Sequence, residues 1–380
     1  MRTLMITKFL PWPADDGGKQ RTLAVARRLA GLGRVVLCGH DDGRCDRAGL
    51  EDMGIEVRAV PWRPGVLATA GAALHTRTMS AARFATPAMV AEVRRCASES
   101  PVDLLQIEYL QMAFAALGVQ ARTRVLDLHN VESALAASYG RSARGLLALG
   151  ARAESVALRA AECRVVPTMD TVVVVSEQER RRLPAGACQV IVCPNGCDPS
   201  PDVLPPSLEA GAVFVGALGW APNAEAAAWF GQQVWPEVVR KVPHARLALV
   251  GHDPSPAVRA LASSTVEVTG SVPDVAPYLA AARLALAPLR SGGGSRLKIL
   301  EALDAGRPVV STSIGVDGLE DLVGEGVVVA DTASAMAEAV AGLLSDPGRA
   351  ESLGRAGHLA VSERHSWDRA LAPLLEAVAG

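Results

Sequence analysis

The sequence is poor in aromatic residues, which make up 4% of its 380 residues, whereas hydrophobic residues make up 49%. A core built from this chain must therefore consist mainly of alanine, valine and leucine. An excess of one charge is also missing, because the formal net charge is −2. Since nucleic-acid binding requires a strongly basic surface, and bulk attachment to a membrane requires charge of one sign, we expect neither partner on this ground.

The seven cysteines lack both a C-x-x-C pair and the Cys/His spacing of zinc sites. An odd and unpatterned set of this kind is typical of reduced thiols in a cytosolic protein. The apolar run at the N-terminus is too short for a signal peptide, and proline and aspartate interrupt it. Nor does any segment approach the ~18 consecutive apolar residues of a membrane span. We therefore expect a soluble, cytoplasmic protein.

Short apolar runs that predict buried parallel strands alternate with stretches of helical periodicity. In the first half these runs are residues 3–6, 34–39, 55–60, 102–108, 124–129, 171–176 and 190–194. After a segment with four prolines, the alternation resumes at residues 212–217, 245–251, 266–270, 283–288, 308–312 and 326–330. The pattern predicts two doubly wound α/β domains, residues 1–195 and 212–364, joined by a linker at 196–211. Ligands of such domains bind beyond the carboxyl ends of the strands, so we expect a cleft between them.

The stretch SGGGSRLKILEALDAG, residues 291–306, places three glycines between a predicted strand and a helix that begins near Ser295. Glycine lets the backbone approach a ligand, and the N-terminus of a helix attracts phosphate. Arg296 and Lys298 in the first turn would oppose the helix dipole unless an anion bound there, and Glu301 shares a face with Lys298. The segment predicts an anion site that includes Gly292, Gly293, Gly294 and Ser295. The alternative is a solvated turn with two surface cations.

Two glycines in the first domain form a similar pattern. Gly17 and Gly18 follow the first strand and open a helix, with Arg21 one turn further on. They predict a second approach to a phosphate, or else an ordinary turn between strand and helix. Asp16 is predicted to cap this helix, and contact with an acceptor hydroxyl is the alternative. Arg21 is a further candidate for contact with the acceptor.

His129 ends a predicted strand, where a histidine is well placed to contact a ligand, although a structural role is the alternative. Asn130 and Glu132 follow it closely, and both are candidates for contact with an acceptor. Glu132 has the alternative role of capping the next helix. Glu108 ends the preceding strand and is a further candidate.

The segment GGGSRLKILEALDAGRPVVSTSIGVDGLEDL resembles the C-domain signature of glycosyltransferase family 4, whose members have the GT-B fold. The pieces DDGGKQR (15–21), VFVGALGWAPN (213–223) and HSWDRAL (365–371) match the same family in the same order. The resemblance implies a hexosyltransferase that retains anomeric configuration and uses a nucleoside-diphosphate sugar. It assigns His129 to the reacting sugar and Glu301 to the ribose, and it implies that the tail 365–380 packs back on the first domain.

The sequence departs from the family at three positions. Many relatives carry two glutamates with seven residues between them, but the first of these is Gly293 here. In many relatives an arginine and a lysine bind the diphosphate, and the corresponding positions here are Ala217 and Asn223. The chain therefore resembles a branch in which Arg296 and Lys298 hold the diphosphate. A D-x-D pair in a suitable loop is also missing, so we expect no metal in the chemistry.

Two other functions compete with this prediction. A dinucleotide-dependent oxidoreductase is disfavoured, because G-x-G-x-x-G is missing after the first strand. A non-catalytic GT-B sugar-nucleotide binder or partner subunit stays open because of Gly293.

The arginine-containing segment 141–164 predicts a solvated surface helix, and peripheral contact with a membrane is the alternative. The acceptor, whether a glycan, a lipid-linked saccharide or a small natural product, is left open, as are the base, the sugar and the oligomeric state.

Overall fold

The computed structural model describes residues 1–63, 76–142, 145–186, 189–200, 203–205, 207, 209–291 and 296–379. The chain forms two compact units. The first comprises Met1–Pro194 together with Leu371–Gly380, and the second comprises Asn195–Ala370. Among the described residues, no helix is long and apolar enough to cross a bilayer.

The first unit is built on a sheet of seven parallel strands. These are β1 (Arg2–Phe9), β2 (Arg34–Asp41), β3 (Ile55–Pro61), β4 (Leu104–Glu108), β5 (Thr123–Leu128), β6 (Thr171–Val174) and β7 (Gln189–Val192). They lie in the order β3-β2-β1-β4-β5-β6-β7, and Met5 of β1 is opposite Leu37 of β2 and Gln106 of β4. The seven strands predicted from apolar runs are all present. The residues of the five inner strands are mostly buried, as expected for a parallel sheet covered on both faces, whereas those of the edge strands β3 and β7 are mostly partly exposed.

Helices cover both faces of this sheet. They are α1 (Gly17–Ala30), α2 (Arg47–Glu51), α3 (Met79–Phe84), α4 (Pro87–Glu99), α5 (Leu110–Ala113), α6 (Glu132–Ser142), α7 (Gly145–Val165) and α8 (Glu177–Arg182). Asp16 is the N-cap of α1, and its Oδ1 accepts a hydrogen bond of 2.8 Å from the backbone N–H of Lys19. The predicted capping role of Asp16 is therefore confirmed. The cap fixes the start of α1 directly after the loop that follows β1.

The second unit contains six parallel strands in the order β10-β9-β8-β11-β12-β13. They are β8 (Gly211–Val215), β9 (Arg246–Val250), β10 (Val266–Gly270), β11 (Leu284–Ala287), β12 (Val309–Ser311) and β13 (Val327–Val329). All six match predicted apolar runs. Its helices are α9 (Ala221–Trp229), α10 (Trp235–Lys241), α11 (Pro256–Arg259), α12 (Ala276–Ala281), α13 (Leu297–Asp304), α14 (Ala333–Ser345) and α15 (Pro347–Arg364), and the chain ends in α16 (Trp367–Ala379). Two doubly wound parallel sheets are thus present, as predicted.

Helix α13 follows β11 and carries two of the predicted site residues. It begins at Leu297, with Arg296 as its N-cap, two residues later than the predicted start near Ser295. Leu297, Ile299, Leu300 and Leu303 are buried. This apolar face fixes the rotation of the helix, so that Lys298 and Glu301 lie on its partly exposed face.

Candidate active site

His129 lies directly after β5 and is paired with the last residue of β4. Its Nε2 is 2.7 Å from Oε2 of Glu108, and the amide of Gln106 donates to the other Glu108 oxygen at 2.8 Å. His129 is 8% exposed, whereas Glu108 is completely buried. Because β4 and β5 are parallel neighbours, their carboxyl ends bring these two side chains together. Glu108 therefore holds the imidazole ring and offers no exposed surface of its own to an acceptor.

Burial determines which of these two groups carries a charge. It raises the pKa of Glu108 to about 7 and lowers the pKa of His129 to about 3. The imidazole is therefore neutral at pH 7. Below this pH a protonated Glu108 donates to Nε2 and leaves the ring proton on Nδ1, whereas a Glu108 carboxylate accepts from Nε2–H and leaves Nδ1 an acceptor. The pair can thus reverse the hydrogen-bonding character of the histidine near neutral pH.

Tyr109 and Lys8 extend this cluster, and the sequence did not predict either. The Tyr109 ring lies over His129, with 3.9 Å between the ring centroids. Its φ of 73° is rare for a bulky residue, and such strain is concentrated at functional sites. The Nζ atom of Lys8 lies 4.1 Å from the Tyr109 ring centroid and 3.4 Å from Oε1 of Glu132. Glu132 therefore pairs with Lys8 beside His129. Asn130, which lies between His129 and Glu132 in the sequence, is partly exposed.

The first glycine loop has a packing role in the structure. A Cβ atom at Gly18 would lie 2.3 Å from Oη of Tyr109. The absence of a side chain at this position is therefore required by the tyrosine, whether or not a phosphate approaches. Gly17 opens α1 next to it, as predicted.

Arg21 is used inside the fold. It is 1% exposed, and its Nε lies 3.1 Å from each carboxylate oxygen of Asp127, while Nη2 lies 2.9 Å from Oδ2. A further N–H donates to the carbonyl of Pro194 at 3.3 Å. Asp127 is completely buried. This burial corrects the expectation that Arg21 contacts an acceptor, because the guanidinium has no surface to offer one.

Three of these side chains have the donor atoms that a metal ion would need. Glu108, Asp127 and His129 each bring one possible ligand atom to within 4.8 Å of the others. However, the carboxylate of Asp127 is already bound by Arg21, whose positive charge would oppose a cation at the same place. The group is better explained as two neighbouring pairs, Glu108 with His129 and Arg21 with Asp127.

In the second unit, Lys298 is the centre of a small polar site. Its Nζ donates to Oδ1 of Asn223 at 2.8 Å and lies 4.4 Å from the ring centroid of Phe214 in β8. Both of these contacts are to uncharged groups. Burial first, and then the charge of Arg296, lower the pKa of Lys298 from 10.5 to about 7. The protonated form of Lys298 is therefore costly where no anion lies beside it.

Arg296 and Glu301 lie on either side of Lys298 along the chain. Arg296 is 5% exposed, and its Nη2 contacts the carbonyl of Ile314 at 3.5 Å. Glu301 is partly exposed, one turn beyond Lys298 on α13. Gly292, Gly293, Gly294 and Ser295 lie outside the described residues, so their predicted role in an anion site stays a prediction.

Helix α7 presents apolar as well as basic side chains to solvent. Leu146 is 86% exposed, and Leu149 and Val156 follow it on the same face at helical spacing. Arg141 and Arg152 are exposed nearby. The predicted surface helix is thus less polar than its arginines suggested, and contact with a membrane stays a prediction.

Comparison with known proteins identifies the family. Residues 16–196 match the profile of the glycosyl transferase 4-like domain, and residues 209–346 match that of the glycosyl transferases group 1. The chain belongs to the family 4, group 1 glycosyltransferases. No curated protein matches its sequence significantly.

Solved structures share the GT-B fold of this family member at low identity. Sucrose-phosphate synthase from Thermosynechococcus elongatus has a TM-score of 0.74 at 17% identity, with 100% of this chain and 98% of that chain covered. HepE from Anabaena, in complex with UDP and glucose, has a TM-score of 0.70 at 17% identity. WaaG, a glycosyltransferase involved in lipopolysaccharide biosynthesis, has a TM-score of 0.69 at 16% identity. Both HepE and WaaG are covered completely, as is this chain.

Proposed function

We propose that this glycosyltransferase family member transfers a hexosyl group from a nucleoside-diphosphate sugar to a hydroxyl acceptor, with retention of anomeric configuration. The observation that carries the proposal is Lys298 in the second unit. Its ammonium group is partly buried against an amide and an aromatic ring, and its pKa is lowered to about 7. Such a group is expensive to protonate without an anion, and a diphosphate would supply one.

We assign the donor side of the reaction to α13. Lys298 and Arg296 would neutralise the charge that develops on the leaving diphosphate. Glu301 would accept hydrogen bonds from the ribose, and the N-terminus of α13 favours an anion. UDP-glucose is the donor to test first, because HepE, which shares the fold, was solved with UDP-glucose.

We assign the sugar and acceptor side to the His129 cluster. His129 would contact the reacting sugar through a polar hydrogen bond. Glu132, Asn130 and Lys8 supply the partly exposed polar groups around it that an acceptor hydroxyl could meet. In a front-face reaction the donor phosphate takes the proton of the acceptor, so the protein needs no carboxylate nucleophile.

Release of UDP from UDP-glucose tests the proposal without knowledge of the acceptor. We expect slow hydrolysis with water alone and faster release with a suitable hydroxyl acceptor, and the rates should survive EDTA because cations of the protein hold the diphosphate. GDP-mannose and other nucleotide sugars in the same assay identify the base. Activity that disappears in EDTA and returns only with a divalent ion would contradict the metal-free arrangement.

The main alternative is a non-catalytic GT-B protein that binds sugar nucleotides. The same assay separates the two functions, because mass spectrometry of the mixture detects both bound nucleotide and released product. Tight binding without turnover of any donor, with water or with a panel of hydroxyl acceptors, would favour the binder.

The Glu108–His129 pair predicts how the rate should depend on pH. Glu108 titrates at about 7 and changes the hydrogen-bonding character of His129, so we expect an inflection near pH 7 in the pH–rate profile at saturating UDP-glucose, where the bound diphosphate would keep Lys298 charged. In Glu108→Gln the amide N–H donates to Nε2 at every pH. The inflection should therefore disappear, and the rate should resemble that of the wild-type protein on the acidic side.

If a group other than Glu108 caused the inflection, the inflection would remain in Glu108→Gln. Glu92→Gln is a suitable control, because this partly exposed carboxylate lies on α4 and pairs with Arg95. Its profile should match that of the wild-type protein. An inflection near pH 7 that persists in Glu108→Gln would show that Glu108 does not control His129.

A further inference from the structure

The contact between Lys298 and Asn223 joins two segments that the chain separates by 75 residues. Asn223 is the third residue of α9 and is 4% exposed. Its Oδ1 accepts from Nζ of Lys298 at 2.8 Å, and its Nδ2 donates to the carbonyl of Ala217 at 3.0 Å. The opposite amide orientation would place N–H groups against the ammonium and an oxygen against the carbonyl. The amide therefore has one favourable orientation, and it directs an acceptor at Lys298.

The backbone after β8 lies close to this contact. A Cβ atom at Gly216 would lie 2.8 Å from Nδ2 of Asn223 and 2.9 Å from Nζ of Lys298. The Phe214 ring closes a further side at 4.4 Å from Nζ. The ammonium group is thus held at the carboxyl end of β8 by side chains from β8 and α9, although it is attached to α13.

We propose that Asn223 is a positioning residue, which holds the Lys298 ammonium group at the place where the donor diphosphate binds. The ends of the two side chains meet at a single place, so a lysine at either position would deliver a cation there. The inference rests on the proposed function, because it takes the diphosphate as the anion that this cation binds.

The neighbouring charges leave the role of the amide intact. Arg296 and Glu301 are the charged side chains that act on Lys298, the first lowering and the second raising its pKa. Both belong to the same segment as Lys298. The amide of Asn223 instead joins the ammonium group to α9, at 2.8 Å.

Calorimetric titration with UDP tests the inference through rescue. Lys298→Met should weaken UDP binding on the order of 10- to 100-fold, the range for loss of a charge-assisted hydrogen bond. Adding Asn223→Lys to that variant should recover at least half of the loss on a logarithmic scale, because the flexible lysine stem can bring its ammonium to the same place. Asn223→Leu, which keeps the volume but removes the acceptor, should weaken binding by less than Lys298→Met.

Melting curves and the wild-type titration separate the ways in which the inference can fail. A wild-type protein that binds UDP, GDP and ADP equally poorly would overturn the proposed function itself. The second failure concerns the shared cation position. It would be overturned if the wild-type protein binds UDP, Lys298→Met loses binding, and the double variant recovers none of it while melting like Lys298→Met. Unchanged UDP affinity in a folded Asn223→Leu variant would overturn the positioning role of Asn223.

Discussion

Lys298→Met is expected to abolish most donor binding while raising the melting temperature of the ligand-free protein near pH 6 to 7. The loss of the ammonium should lower the affinity for UDP-glucose about 10- to 100-fold. The stability gain follows from the lowered pKa of Lys298. Between pH 7 and 10.5 the unfolded chain binds this proton and the folded chain does not, so stability falls as the pH decreases through that window. Methionine removes the penalty and can still contact the Phe214 ring.

The same residue should make donor binding depend on pH. Free Lys298 is largely neutral at pH 8, and a bound diphosphate would restore its charge, so binding should take up close to one proton. Calorimetric titration with UDP-glucose in two buffers of different ionisation enthalpy measures this uptake. The diphosphate diester of UDP-glucose does not itself titrate in this range, so the proton is taken up by the protein. In Lys298→Met the uptake should vanish.

Lys241→Met provides the matched control for both measurements. Lys241 ends α10 in the same unit and pairs with Glu338 at 2.6 Å on the surface. Its substitution should change neither UDP-glucose affinity nor proton uptake. If Lys298→Met also left both unchanged in a folded protein, Lys298 would be a surface cation with no part in donor binding.

The positions of the strands along the chain were predictable because each buried parallel strand has its own apolar run, whatever its partners are. The cations of α13 were predictable for a similar reason, since their conflict with the helix dipole lies within one turn of sequence. The contact of Lys298 with Asn223 was not, because 75 residues separate the two and an asparagine early in a helix carries no signal of its partner. Asn223 attracted attention only as a departure from the family pattern.

In the first unit, the sequence suggested a ligand contact at a residue that the structure places in a buried ion pair. Arg21, one turn into the helix, looked like a cation available to a ligand, because its counter-charge, Asp127, comes 106 residues later on β5. Burial of both groups follows from the adjacency of α1 and the sheet, which periodicity does not reveal. Tyr109 was missed because its left-handed backbone is not typical of tyrosine.

Breaking the Arg21–Asp127 pair should be the most destabilising single change in the first unit. Both side chains are fully buried, and three contacts of 2.9 to 3.1 Å join them. Asp127→Ala leaves the guanidinium charged and buried with the Pro194 carbonyl but without its carboxylate. We expect a cost of about 3–5 kcal/mol in the free energy of unfolding, measured by urea denaturation.

The double variant Arg21→Met/Asp127→Leu should be more stable than Asp127→Ala, because it removes the uncompensated charge along with its partner. Glu56→Ala is the matched control on the same sheet. It breaks the partly exposed pairs of Glu56 with Arg34, at 2.6 Å, and with Arg58, at 2.5 Å, and should cost no more than about 1 kcal/mol. Hydrogen exchange of β5 and β6 assigns the loss to the first unit, with peptides of the second unit as internal reference. Equal costs for Asp127→Ala and Glu56→Ala would show that the burial of the Arg21–Asp127 pair adds nothing to its contribution to stability.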